Sequence, residues 1–318
     1  MLPPQHGSRG DRRRGADATI GLWVSAIVTL CGCGGDPSAV FDEASFLAEL
    51  DTWRQERDAG LRRDDGWLSL AGLFWLEEGP NRFGANIDND LVFPPGSAPP
   101  VLGHFLVAGD GVRVRTAPGV ELRVSGEPAM EAAVASDADG DPTMIEHGSL
   151  LFYVISRNER LGVRLKDRSS PLLAGFEGMH HYAPAPAWRI TGEFQPYDPP
   201  KIIPVPNILG TPVDETCPGR VVFEVVGETY TLEPTGEPGE ELFIVFGDET
   251  NGEHTYGGGR FLRAAWPADG EVVLDFNRAY NPPCVFTPWA TCPLPPPQNR
   301  LSLSITAGEL AYGSDDHS

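Results

Sequence analysis

Turn-forming residues recur too often along this chain for long helices to fit between them. The 318 residues include 37 glycines and 31 prolines. Glycine interrupts helices by backbone freedom, and proline by its fixed φ and missing N–H. Short apolar runs lie between the breaks: Leu91–Phe93, Val101–Val107, Val112–Arg115, Val120–Val124, Leu150–Ile155 and Gly162–Leu165. Trp188–Phe194, Arg220–Val226, Thr229–Leu232, Glu241–Phe246, Phe261–Ala264 and Glu271–Phe276 come after them. Runs of this length bounded by turn residues read as strands. Leu301, Leu303 and Ile305 alternate with Ser302 and Ser304, as on a half-buried strand. No helical pattern alternates with these runs, which argues against a parallel α/β sheet. The expectation is a mainly β fold, an antiparallel barrel or sandwich. Trp67–Leu76 is expected as a buried strand broken by Gly72, Asn81–Gly84 as a turn, and the Pro-rich stretch Tyr182–Pro212 as a joint between sub-domains.

One helix is expected, over about Asp42–Arg63. Phe46, Leu47, Leu50, Trp53 and Leu61 recur at near-helical spacing, and Asp42 and Ser45 are both candidate N-caps. Ahead of it, residues 1–33 carry the three parts of an export signal. A basic stretch (Arg9, Arg12, Arg13, Arg14) precedes an apolar run from Ile20 to Leu30, and Leu30-Cys31-Gly32-Cys33 closes it. The apolar run is shorter than the roughly 20 residues a membrane-spanning helix needs. Leu30, Gly32 and Cys33 resemble a bacterial lipobox, which implies lipidation of Cys33. Acyl chains contribute about 0.8 kcal/mol per buried CH₂, so several on one cysteine hold a protein firmly. The mature chain is then expected to read as a tether over 34–41, a mostly β domain over 42–311 and a disordered tail over 312–318. Its place would be the bacterial cell envelope, lipid-anchored on the periplasmic side, with the membrane as a partner through the lipid.

The formal net charge is −21. Binding a polyanion requires Lys and Arg to displace its counterions, so nucleic acid is not an expected partner.

The segment richest in polar chemistry runs from Gly247 to Glu309. It contains Asp248-Glu249-Thr250-Asn251-Gly252, then Thr255-Tyr256-Gly257-Gly258-Gly259-Arg260-Phe261, then Asp275-Phe276-Asn277-Arg278-Ala279-Tyr280-Asn281-Pro282-Pro283-Cys284. Cys292-Pro293-Leu294-Pro295-Pro296-Pro297-Gln298-Asn299-Arg300-Leu301 and Ala307-Gly308-Glu309 complete it. These motifs resemble an uncharacterised bacterial family, DUF1684. Gly66–Leu76 and Asn81–Gly84 resemble its N-terminal block, so the likeness runs from about Trp53 to Gly308. The resemblance implies no reaction, cofactor or substrate. The chain departs from the family pattern at Leu310, where a basic residue is expected, and at Cys217, which has no counterpart there.

Polar groups in an apolar, proline-stiffened setting must pair with one another or with a ligand. Arg260, Asn277, Asn281, Asn299 and Arg300 are the candidate ligand-binding residues, because arginine forks suit carboxylate or phosphate. Asp275 and Glu309 are the candidate acid–base pair of a carboxylate-based hydrolase. The bland alternative is that Arg260–Asp275 or Arg278–Glu309 pairs pin the loop. The leading functional expectation is a lipoprotein binding a small anionic ligand near this motif. The hydrolase and an envelope structural protein are the alternatives, and the sequence leaves open whether the chain is an enzyme. Cys284 and Cys292, eight residues apart, are expected as a disulfide, ahead of a metal pair or free thiols. Cys217 is expected as a buried free thiol. His180-His181 is expected to point one ring inward and one outward. Asp137, Asp139 and Asp141 begin like a calcium loop, but Pro142 stands where the turn glycine belongs, which leaves an acidic surface turn. No Gly-x-Ser-x-Gly nucleophile elbow, His-Glu-x-x-His zinc site or phosphate-cradling Gly-Lys-Ser/Thr loop is present, no metal ligand set is expected, and the sequence leaves the cofactor open.

Overall fold

The computed structural model describes residues 41–109 and 111–313. The expected export signal over 1–33, the expected lipidation site Cys33 and nearly all of the expected tether over 34–41 lie outside the described residues. So do residues 314–318 of the expected tail. Tyr312, placed in that tail by the sequence, packs instead on Phe286 and Phe176 with ring centroids 5.0 and 5.9 Å away.

The helix α1 spans Glu43–Leu61, and Asp42 is its cap, with the carboxylate accepting from Ser45 N at 3.2 Å. Its buried residues are Phe46, Leu50 and Leu61. No helix among the described residues is long and apolar enough to cross a membrane.

Beyond α1 the chain is mostly strand. β1 (Leu70–Trp75), β2 (Gly79–Gly84), β3 (Leu91–Val92), β4 (Gly103–Ala108), β5 (Gly111–Thr116), β6 (Arg123–Val124), β7 (Glu127–Pro128), β8 (Glu131–Val134), β9 (Ile145–His147), β10 (Leu150–Arg157) and β11 (Arg160–Asp167) build two sheets. Their orders are β1-β11-β10-β9-β6-β7 and β3-β2-β4-β5-β8. Both are open sheets, so the architecture is a sandwich and not a closed barrel. Pairing is antiparallel throughout these two sheets except between β2 and β3. Their inner faces enclose one core. Val112, Val114 and Thr116 point in while Arg113 and Arg115 point out, the period of two expected of a strand with one wet face. Phe83, Phe93, Phe105 and Phe152 meet in its centre with ring centroids 4.8–6.3 Å apart. Each phenylalanine buried this completely contributes about 1.5–3 kcal/mol.

A second core lies further along the chain. It is built by β12 (Arg189–Val205), β13 (Val213–Val225), β14 (Glu228–Leu232), β15 (Leu242–Phe246), β16 (Arg260–Ala264) and β17 (Glu271–Asp275). One sheet runs β14-β13-β12-β17 and the other pairs β15 with β16. Phe223, Phe246, Leu274 and Phe276 are among its fully or nearly fully buried residues.

Three expectations change. Asn81–Gly84 is strand, not turn: the Asn81 amide folds back onto Glu77 N, Glu77 O and Gly79 O, making the turn just upstream, and Phe83 enters the core. The Pro-rich stretch Tyr182–Pro212 contains the whole of the long strand β12. Pro199 and Pro200 fall where the ladder to β13 shifts register, between Pro196 and Lys201. Leu301–Ile305 keeps its alternating burial but forms no ladder strand. Leu301 N donates to Gly247 O, and Ile305 N turns to the Asp248 carboxylate.

Candidate functional site

The polar residues of the C-terminal segment face inward, and most are consumed by the fold. Arg260 opens β16 and is fully buried. Its guanidinium donates to Asp248 Oδ2 at 2.8 Å, to Ile305 O at 3.0 Å and to Ala307 O. Asp275 ends β17 and accepts from Asn277 N and Nδ2 at 3.2 and 3.0 Å, with Arg189 at 3.3 Å and Arg278 at 3.5 Å. Glu309 is fully buried, pairs with Arg57 of α1 at 2.9 Å and accepts from Asn281 N at 2.7 Å. Arg260 therefore pairs with Asp248 and not Asp275, and Glu309 with Arg57 and not Arg278. The three groups do not converge on one cavity.

The asparagines act as splints. Asn277 bonds Ala185 N and O at 2.8 and 2.9 Å. Asn299 accepts from Glu233 N at 2.7 Å and donates to Glu233 O and Val245 O. Asn281 donates to Leu310 O at 2.6 Å, while its Oδ1 has no partner among the described residues. Arg300 alone of the set is exposed. Cys284 and Cys292 form a disulfide. Cys217 is a buried free thiol whose Sγ donates to Gly219 O, and burial pushes its pKa up to about 11. Asp137 pairs with Arg157 at 2.8 Å, and Asp139 closes a capping box on Ser136, so the acidic turn is held by its own side chains. Among the described residues no group of three or more His, Cys, Asp or Glu is arranged to hold a metal ion.

Helix α1 docks on residues 176–182 and on Asn281 and Glu309 largely through polar contacts. Arg54 donates to Tyr182 O, Arg57 to Asn281 O, Arg62 to Phe176 O, and the Asp58 carboxylate accepts from Met179 N. His181 lies under the same helix, half-buried, whereas His180 is exposed. Burial, then the nearby Arg54, lowers the His181 pKa from 6.5 to about 4. The unfolded chain therefore binds a proton near pH 6.5 that the folded chain resists until about pH 4. This contribution to stability is complete above pH 6.5 and is lost as pH falls towards 4. Glu309 acts in the opposite sense, since burial raises its pKa against the pull of Arg57. The His181→Gln variant isolates the histidine. Its urea midpoint is expected to fall less than wild type between pH 7 and pH 4.5, and parallel curves would refute the assignment.

The open space lies elsewhere. A cleft of 640 Å³ sits on the outer face of β2, β4 and β5, with Arg82, His104 and Arg115 on its floor and Pro80, Val101 and Pro118 in its walls. Arg82 pairs in register with His104, and His104 with Arg115, so the three side chains form one row on one face. Asp88 and Asp90 line one end. Glu131 lies beyond the other, 3.1 Å from Arg115. Sequence reading missed this row because its members sit on three separate strands, joined only by register. Beside the C-terminal segment, a second cleft of 410 Å³ is lined by Gly252, Glu253, Tyr256 and Tyr312 among others, with no basic side chain.

Residues 174–310 match the family model described as a protein of unknown function, DUF1684. That segment belongs to the DUF1684 family. It begins after both sheets of the first sandwich, so the N-terminal likeness at Gly66–Leu76 and Asn81–Gly84 lies outside the DUF1684 match. The solution NMR structure of an uncharacterized protein from Haloarcula marismortui is 29% identical, covering 43% of this chain and 78% of that one, with a TM-score of 0.37. The Rv0020c FHA structure is 14% identical, covering 30% of this chain and 91% of that one, with a TM-score of 0.21. No curated protein matches the chain.

Proposed function

We propose that this chain is an exported, lipid-anchored protein that binds a small ligand, with the DUF1684 segment serving as scaffold. The observation that carries binding over hydrolysis is the fate of the two candidate carboxylates. A general acid or base must lie within hydrogen-bond reach of its substrate. Asp275 and Glu309 are instead buried, engaged in separate ion pairs, and absent from the walls of the 640 and 410 Å³ clefts. The anionic-ligand reading moves away from the C-terminal segment for the same reason, since Arg260 is fully buried with both terminal nitrogens engaged by Asp248 and backbone carbonyls, and the cleft beside that segment has no cation.

Export is supported by the signal pattern ending at Cys33 and by the Cys284–Cys292 disulfide, because stable disulfides are rare in reducing cytosol. Cys33 would hold the lipid, and a periplasmic face would give Cys284 and Cys292 their oxidant.

The reading is tested on the full chain, recovered from membranes and analysed by native mass spectrometry. The expected result is a cleaved, acylated chain retaining a small molecule. Cys33→Ser should accumulate as unlipidated precursor. Recovery of the wild type as an uncleaved cytosolic species without ligand would defeat the proposal.

A further inference from the structure

The geometry points to a compact oxyanion, a phosphate or carboxylate group, bound over His104 between Arg82 and Arg115. This deepens the small-ligand reading and rests on it. Neighbouring strands lie about 4.8 Å apart, so an anion over His104 is one strand spacing from each arginine's backbone and within the span of both side chains. Arginine presents a planar donor fork that matches phosphate and carboxylate oxygens two at a time. The histidine between the forks adds a ring nitrogen at the floor.

The arginines are free to serve. Arg82 Nη2 donates to Asp88 O at 2.7 Å, and Arg115 Nη2 reaches Glu131 Oε2 at 3.1 Å. The Arg115 side chain is 63% exposed, and an exposed ion pair of this kind contributes little and exchanges readily. These positions are not needed by the core, whose contacts are made by the alternating residues Phe83, Phe105 and Val114. Pro80 and Pro118 stiffen the walls, which lowers the entropy lost on binding.

The acids at the two ends of the row set what fits. Asp88 and Asp90 stand beyond Arg82, and Glu131 beyond Arg115. An extended polyanion laid along the row would meet like charge at both ends, whereas a single compact anion stays between the arginines. Repulsion at the rim is a recognised source of selectivity. It also agrees with the net charge of −21, which disfavours polyanions over the whole surface.

The test uses the full chain and two probes, inorganic phosphate and citrate, titrated by calorimetry at constant ionic strength. Saturable binding of at least one probe is expected, and the stronger probe tells a phosphate seat from a carboxylate seat. Arg82→Gln and Arg115→Gln should each weaken binding about tenfold, the loss of one charge-assisted contact. Arg263→Gln removes an exposed β16 charge that is paired to Glu241, and should leave affinity unchanged. Both arginines of the row are exposed, so the variants should melt with the wild type. The inference is overturned if neither probe saturates, or if Arg263→Gln weakens binding as much as the row variants do. If the Arg82→Gln, Arg115→Gln double variant keeps a molecule that co-purifies with wild type, this site is overturned while the small-ligand reading stands. If wild type holds neither a co-purified molecule nor a probe, both fall.

Discussion

Replacing Arg260 with methionine is expected to lower the unfolding free energy by about 3–5 kcal/mol. Both side chains of the Arg260–Asp248 pair are fully buried. The pair contributes little over an apolar pair of the same volume, because two charges must leave water to form it. Removing one partner is a different matter. Methionine would strand the Asp248 carboxylate in the interior and leave Ile305 O and Ala307 O without their donor. The other Asp248 oxygen already accepts from Thr250 N and Oγ1 at 2.9 and 2.6 Å, so the carboxylate cannot turn away without breaking the loop that presents it. The Arg260→Met, Asp248→Asn double variant removes the stranded charge and should regain part of the loss. A coupling of about 0.5–3 kcal/mol is expected for groups in one network. Urea unfolding of the full chain measures all four members of the cycle. A single variant within about 1 kcal/mol of wild type would mean that Arg260 is not an internal tie, and would make it a ligand-binding candidate again.

The parts of the fold that one stretch of chain decides were open to sequence reading. Asp42 caps α1 because its carboxylate reaches Ser45 N within the same turn, and Phe46, Leu50 and Leu61 come after it at helical spacing. The disulfide was legible from two proline-flanked cysteines. The alternation of Leu301, Leu303 and Ile305 gave their burial correctly, yet it could not say whether a neighbouring strand would complete a ladder. Partners chosen across the chain were not legible. Arg260 had several acids within reach in sequence, and the choice of Asp248 depends on how the 247–252 loop folds over β16. Glu309 is neutralised from α1, at the far end of the chain. Arg82, His104 and Arg115 look like ordinary polar positions in three separate runs. Only the register β2–β4–β5 makes them one surface.

Gly259→Ala is the other change with a large expected effect, because two independent penalties meet at one residue. Gly259 has φ +89, a region where a Cβ collides with its own backbone at about 1–2 kcal/mol. The added carbon would also lie 2.4 Å from Pro295 Cγ and 2.6 Å from Phe246 O. The second neighbour is β15 backbone, and the first belongs to Pro293–Pro297, where four prolines fix the chain and leave it few ways to yield. Forcing such a contact typically costs about 1–3 kcal/mol more, so a total near 3 kcal/mol is expected. Gly257→Ala is the control in the same glycine run. Its Cβ would find its nearest neighbour, Gly252 Cα, at 3.7 Å, an ordinary contact, and its change should stay within about 0.5 kcal/mol. The contrast is specific to the seating of the Pro-rich loop on the glycine run, because propensity alone would treat both substitutions alike. Equal urea midpoints for the two variants would mean that Pro295 does not rest against Gly259.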